Sequence, residues 1–232
     1  MKRVPKGLPS IPLFRFGAWI CAVLFGAIAL QAQRPKLVML IAEAEYKSAQ
    51  TLPAFAEKHL KGVFDVTVIE GSPGDGPVIF PGLEKLSTAD VLLVSVRRRI
   101  PTQEDMARLK AYVAAGKPVV GIRTASHAFV LRKGTFPATH LDWPAWDAEI
   151  FGGNYTNHHG EGPITEVTRA TTTSHPILAG VKFPFTSKAT LYRVSPLRAN
   201  ATSLLTGKIP GEPEQPIAYI ATHSGGGKAF YT

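Results

Sequence analysis

Between residues 36 and 122 apolar runs alternate with helical patterns, and this alternation narrows the available folds more than any other feature. Residues 36–43 read Lys-Leu-Val-Met-Leu-Ile-Ala-Glu, the short apolar run of a strand covered on both faces. Residues 48–60 place Leu52, Phe55, Ala56 and Leu60 at helical spacing, with Ser48 or Thr51 as N-cap. Residues 64–69 read as a second strand, and the Gly- and Pro-rich stretch 71–82 as loop. The third strand is 90–96. Thr102 then caps a helix whose first turn, Gln103-Glu104-Asp105, suits the positive end of its dipole. That helix carries Met106, Leu109, Tyr112 and Val113 on one stripe and stops at Gly116, before a fourth strand at 119–122. Strand–helix–strand–helix order demands crossover connections, and so a doubly wound α/β fold: a mostly parallel sheet with helices on both faces. Beyond it, 143–151 reads as a short helix. Residues 163–168, 190–194, 203–206 and 217–221 read as short strands, and Tyr231 and Thr232 fall at a last one.

The first 32 residues read differently. Lys2, Arg3, Lys6 and Arg15 precede an apolar run at 17–30, about fourteen residues and short for a membrane span. Ala27-Ile28-Ala29 fits the small-x-small cleavage pattern, and Ala32 offers a second exit. The expectation is a signal peptide over 1–32 and one domain over 33–232, exported to the periplasm or beyond, with no stable span after cleavage. An uncleaved anchor is the alternative. Lipidation is disfavoured because Cys21 follows Trp19-Ile20 rather than small residues. The net charge of +9 falls to +5 without this segment, which holds four basic and no acidic residues. Apart from Arg97-Arg98-Arg99 the basic residues are scattered, so no nucleic-acid footprint is visible. Cys21, the sole cysteine, leaves with the signal, so the remaining domain has neither a disulfide nor a thiol nucleophile.

Ligands of open parallel sheets sit beyond the carboxyl ends of the strands. That rule selects Glu43, Glu45 and Tyr46, then Arg97-Arg98-Arg99, then Arg123-Thr124-Ala125-Ser126-His127. Arg123 suits an oxyanion or sugar hydroxyls, or else pairs with Glu43 or Glu45. Ser126 lacks the Gly-x-Ser-x-Gly setting of a nucleophile. His127 is a candidate general base, or a histidine satisfied at a helix start. The cluster Asn154-Tyr155-Thr156-Asn157-His158-His159-Gly160 supplies two further imidazoles, which point apart on an extended chain. One of them, with His127 and a carboxylate, would make an open metal site, so a divalent metal stays open. His175-Pro176 reads as the start of a turn, and His59 and His140 as surface positions. Trp143 and Trp146, beside Asp142, Asp147 and Glu149, suit sugar binding or core packing.

Several segments together resemble the ThuA-like trehalose-utilisation family. They are Leu40-Ile41-Ala42-Glu43-Ala44-Glu45-Tyr46, the stretch from Val119 to His127, Gly152-Gly153-Asn154-Tyr155, His175-Pro176-Ile177-Leu178, and Gly226 through Thr232. The resemblance implies a flavodoxin-like, class I glutamine amidotransferase-like fold, with no thiol amidotransferase activity since the cysteine is absent. It also implies a role in sugar catabolism, through 3-keto sugars in the trehalose branch. Two departures stand out. Relatives carry Gly-Ile-His-Ala-Ala-Ser-Asp at the fourth strand's end, whereas this chain has Arg123 at that His and His127 at that Asp. Relatives also continue past the Phe-Tyr-Thr strand into a Gly-His loop and a final helix, so part of the site is expected beyond Thr232.

The expected function is carbohydrate catabolism by a lyase or hydrolase that cleaves or converts a 3-keto-glycoside. His127, Arg123 and His158 are the catalytic candidates, and Glu45, Tyr46, Arg97, Tyr155 and His159 the contacts to a small-molecule sugar. The rival expectation is a non-catalytic carbohydrate-binding domain on the same rim.

Overall fold

Strand β1 (Lys36–Ala42) shows why the sheet is covered on both sides. Its residues from Leu37 to Ala42 are all buried, and alternate ones serve two cores. Leu37, Met39 and Ile41 face one cluster with Ala56 and Leu93, while Val38, Leu40 and Ala42 face a larger one. The computed structural model describes residue 1 and residues 33–72, 74–170 and 174–232, so the predicted signal over 2–32 lies outside the described residues. Those from Arg34 onward form one unit. Among them no helix is long and apolar enough to cross a membrane.

Helix α1 (Ser48–Phe55) runs on as a π-helical turn to Leu60 and covers the smaller cluster. Its N-cap is Lys47, not Ser48 or Thr51, because Ser48 is drawn into the first turn by Glu43. Strand β2 (Asp65–Glu70) follows. The predicted loop over 71–82 contains a short strand, β3 (Gly76–Val78). Next come β4 (Val91–Val96) and β5 (Arg99–Pro101), the latter pairing parallel with β3 in a separate ribbon. Helix α2 (Gln103–Ala114) begins at Thr102, whose hydroxyl accepts from Asp105 N at 3.1 Å as its sequence predicts. Strand β6 (Val119–Gly121) leads into a single 3-10 turn, Arg123–His127, rather than a long helix. The remaining strands are β7 (Asn157–His158), β8 (Thr165–Arg169), β9 (Phe185–Ser187), β10 (Tyr192–Arg193), β11 (Ala201–Lys208), β12 (Gln215–Thr222) and β13 (Lys228–Tyr231).

Among the described residues nine strands form one sheet in the order β2-β1-β4-β6-β13-β12-β11-β8-β9. From β2 to β13 the pairings are parallel, and from β13 to β9 antiparallel. The doubly wound, flavodoxin-like half thus continues into an antiparallel arm. The reason is length: 209–214 and 223–227 are hairpin connections, too short for a crossover. The last strand therefore lies mid-sheet, with Tyr231 buried beside Gly121. The predicted helix over 143–151 is a π-helical turn, Asp147–Phe151, after a looser approach.

Candidate functional site

Strands β1, β4 and β6 run parallel, so the chain leaves all three at one rim. Each exit contains a non-glycine residue with left-handed backbone: Lys47 (φ 54°), Arg98 (φ 50°) and Arg123 (φ 46°). Among the described residues these are the non-glycine positions of positive φ. Such backbone costs on the order of 1–3 kcal/mol and gathers where function constrains the chain.

Glu43 belongs to the scaffold. It is buried, and its carboxylate accepts from Tyr46 N and Ser48 N, each at 2.9 Å, and from the Ser48 hydroxyl. This closes the loop that carries Glu45 and Tyr46 to the rim. The three arginines part company. Arg97 pairs with Glu45 (Nε–Oε1 2.9 Å) and with Asp75. Arg99 turns inward and holds the loop before β3, donating to Ser72 Oγ (3.1 Å) and the carbonyls of Pro77 (2.8 Å) and Gly74. Arg98 turns into a cavity, its backbone N–H bound to the His127 carbonyl at 3.1 Å.

Arg123 pairs with neither Glu43 nor Glu45. Its guanidinium lies between two rings, 4.8 Å from Tyr46 and 4.3 Å from Tyr192. It donates to the Tyr46 hydroxyl (3.0 Å), Thr190 O (3.1 Å) and Thr190 Oγ1 (3.1 Å). Burial works against its charge, but the hydrogen bond to Tyr46 and the neighbouring Tyr192, Tyr46 and Tyr231 outweigh it and raise its pKa. The guanidinium is committed to the wall and does not line the main cavity, so direct oxyanion contact by Arg123 is corrected to a positioning role. The group in the place expected of it is Arg98.

His127 is 5% exposed and stacks on Tyr155, with ring centroids 4.3 Å apart and 19° between planes. With its hydroxyl proton given to Arg123 O (3.3 Å), Ser126 Oγ is left to accept from His127, 3.1 Å away, which assigns the imidazole proton to Nδ1. Nε2 then carries the lone pair and makes no hydrogen bond among the described residues. Burial first, then Arg98, Arg97 and Arg132, push the imidazole down to about 3. His127 is therefore uncharged across the physiological range.

The 155–159 segment reaches this rim through the ribbon of β7 with β10, which sets His158 opposite Tyr192. His158 Nδ1 donates to His159 O at 2.8 Å, and its ring lies 6.1 Å from that of Tyr192. His159 points the other way, as strand alternation requires. It is buried against Arg193 (3.2 and 3.3 Å) and lies 3.7 Å from Glu212, so it does not line the cavity and its expected sugar contact is withdrawn. Tyr155 is held from behind, where its N–H meets Asp147 Oδ2 at 2.8 Å. Gly153 allows this approach, since a Cβ there would stand 2.5 Å from Asp147 Oδ1 and 2.8 Å from the Tyr219 hydroxyl.

These groups enclose a cavity of about 800 Å³, within the range of small-molecule sites. Glu45, Tyr46, Arg97, Tyr155, His127 and His158 all line it. Sequence reasoning missed Arg132, Glu161, Lys188 and Tyr192, which also line it. No motif along the chain marks them, because they come from loops and the antiparallel arm rather than from ends of parallel strands. The tryptophans are core. Trp146 is 1% exposed and donates to Ala125 O, while Trp143 donates to Glu149, each at 2.8 Å. Of the two readings the sequence left for them, sugar binding and core packing, the second holds. Among the described residues no three His, Cys, Asp or Glu side chains gather to hold a metal, so the trio of His127, a neighbouring histidine and a carboxylate is not assembled.

A family model described as ThuA, trehalose utilisation, matches residues 37–232. The chain belongs to the ThuA family. Solved structures similar to this ThuA domain include the following two. A ThuA-like protein from Bacteroides uniformis ATCC 8492 is 18% identical, with 89% of this chain and 84% of that chain covered at a TM-score of 0.57. A ThuA-like protein from Parabacteroides merdae ATCC 43184 is 15% identical, with 86% and 79% covered, also at 0.57. At such identity the likeness speaks for the fold. No curated protein matches the chain.

Proposed function

We propose that this ThuA domain acts outside the cytoplasm on an oxidised glycoside, removing the proton beside a ring ketone and expelling the C1 substituent. One observation carries the reading. His127 is an uncharged imidazole with a bare Nε2, in a cavity walled by tyrosines and bordered by Arg98. In a 3-keto-glycoside the carbonyl acidifies the proton on C2. His127 Nε2 takes that proton, and the C–H electron pair moves into an enediolate whose oxyanion faces Arg98. The pair then forms the C1=C2 bond as the C1–O bond breaks, and the departing oxygen takes the proton that His127 Nε2 has gained, while His158 lines the cavity beside them. The products are an unsaturated keto sugar and an alcohol. Charge growing on the enediolate opposes the cations that depress His127, so proton transfer becomes easier as the reaction proceeds. Tyr46, Tyr155 and Tyr192 offer ring faces to the apolar side of the sugar, and Arg123 keeps two of those rings in place.

Purified protein incubated with 3-keto-trehalose and with trehalose, with and without divalent metal, tests this by mass detection of released glucose. Release is expected from the keto sugar alone, reduced about 10²–10⁴-fold in His127→Gln. An unchanged rate in that variant refutes the role of His127. Sugar binding without release under any condition makes the protein a carbohydrate-binding domain instead. Export rests on the N-terminal pattern, and N-terminal sequencing of the secreted form should find a cut after Ala29 or Ala32.

A further inference from the structure

The cavity holds more positive charge than a neutral sugar calls for. Arg97 is matched by Glu45 and Asp75. Arg98, Arg132 and Lys188 line the same space, and among the described residues none of them forms an ion pair. The one other carboxylate lining it, Glu161, is likewise unpaired there. Arg98 is only 7% exposed, and its guanidinium makes no hydrogen bond among the described residues. A charge so placed ordinarily has a partner. Its neighbours register the excess. Burial and then Arg132 lower the pKa of Arg98, and the same arginines help to lower that of His127. A guanidinium presents a planar fork that matches a carboxylate or phosphate in two-point contact, whereas a neutral hydroxyl meets only one arm.

We propose that the cavity takes an acidic sugar, whose anionic oxygen substituent docks on Arg98 and Arg132. This rests on the carbohydrate reading above and narrows its substrate. Docking supplies a counter-charge, and by offsetting the arginines it relieves the part of the His127 depression that they add to burial. The substrate's own charge thereby readies the base that acts on it.

Calorimetric binding of glucose, glucuronate, glucose 6-phosphate and inorganic phosphate tests the proposal, on the unaltered protein, Arg98→Gln and Arg132→Gln, at low and high salt. An acidic sugar should bind about tenfold more tightly than glucose, the equivalent of roughly 1.4 kcal/mol. The preference should shrink with added salt and in both variants. Arg132 is exposed, so its replacement reads out charge even where Arg98→Gln does not fold. Tighter glucuronate assigns a carboxylate to the site, and tighter glucose 6-phosphate a phosphate ester. Glucose bound as tightly as the acids overturns the proposal and leaves the carbohydrate reading standing. Inorganic phosphate bound as tightly as the sugar acids overturns it as well, since the sugar then contributes nothing. Absence of binding by every one of these sugars, and by 3-keto-trehalose added to the series, removes the carbohydrate reading itself.

Discussion

The parallel half of the sheet and its antiparallel arm do different work. In the parallel half, β1 and β4 are buried almost throughout, and the exits of β1, β4 and β6 carry Tyr46, Arg98 and His127, with left-handed backbone at Lys47, Arg98 and Arg123. The arm is more open. Strand β8 alternates buried and exposed residues at its start, β9 is largely exposed, and a separate small cluster around Val167, Leu178 and Leu205 supports them. Its connections bring Lys188, Thr190 and Tyr192, and through the β7–β10 ribbon Tyr155 and His158. The rigid half positions the charged and proton-accepting groups, while the looser half closes a wall over them. The site exists only at the seam.

The comparison breaks most readily on stability. Leu40→Ala removes a fully buried side chain from the main core and should cost about 2–5 kcal/mol. Leu205→Ala, 8% exposed and in the arm, should fall at or below the low end of that range. Denaturant titration gives both values. Hydrogen exchange should show the amides of β8 and β9 opening before those of β1 and β4. Equal costs and uniform exchange would merge the two regions into one cooperative block.

The next effect tests the seam by pH. Burial raises the Asp147 carboxyl to about 6, against the hydrogen bond from Tyr155 N and the charge of Arg198, which favour ionisation. The folded value lies above the ordinary one near 3.9, so folding favours the protonated form. That contribution is complete below about pH 4 and lost as pH rises through about 6. Asp147→Asn should therefore be more stable than the parent at pH 7–8, by up to about 3 kcal/mol, with the gap closing at pH 4. His127 has the opposite sign. Its folded value near 3 lies below 6.5, so its contribution is present above pH 6.5 and fades as pH falls toward 3. Melting temperatures of Asp147→Asn and His127→Gln across pH 4–8 should shift in opposite directions. Parallel shifts would mean that some other group governs the seam.

The smallest effect sharpens the wall. Tyr46→Phe keeps the ring against Arg123 but removes the hydroxyl that accepts from Nη2 and lies 3.4 Å from the Tyr192 hydroxyl. A loss of about 0.5–1.5 kcal/mol in thermal unfolding is expected. A much larger loss would show that the hydroxyl network, rather than ring stacking, fastens the arm to the parallel half.

Much of the parallel half was legible. An unbroken apolar run such as 37–42 has few destinations besides a strand buried on both faces, and Thr102 followed by Glu104 and Asp105 announces a helix start by local chemistry alone. The rim rule also led from those strands to Glu45, Tyr46, Arg97 and His127. It erred where neighbours in sequence face different ways. Arg97, Arg98 and Arg99 look equivalent as letters, yet they meet an acidic pair, a cavity and a loop. His158 and His159 divide in the same manner. Arg123 stood where an oxyanion contact was expected, but two tyrosines from distant segments claim its guanidinium.

The sequence by itself determined the alternating elements, the rim they share and the family motifs, because apolar periodicity, caps and turns are set by residues a few positions apart. Only the tertiary structure decided that β13 runs through the middle of the sheet and that an antiparallel arm completes the cavity. It also decided that Arg98, Arg132 and Lys188 stand there without an ion-pair partner among the described residues. Pairing of distant strands and the balance of charge in a cavity depend on which segments meet, and no local pattern along the chain records that.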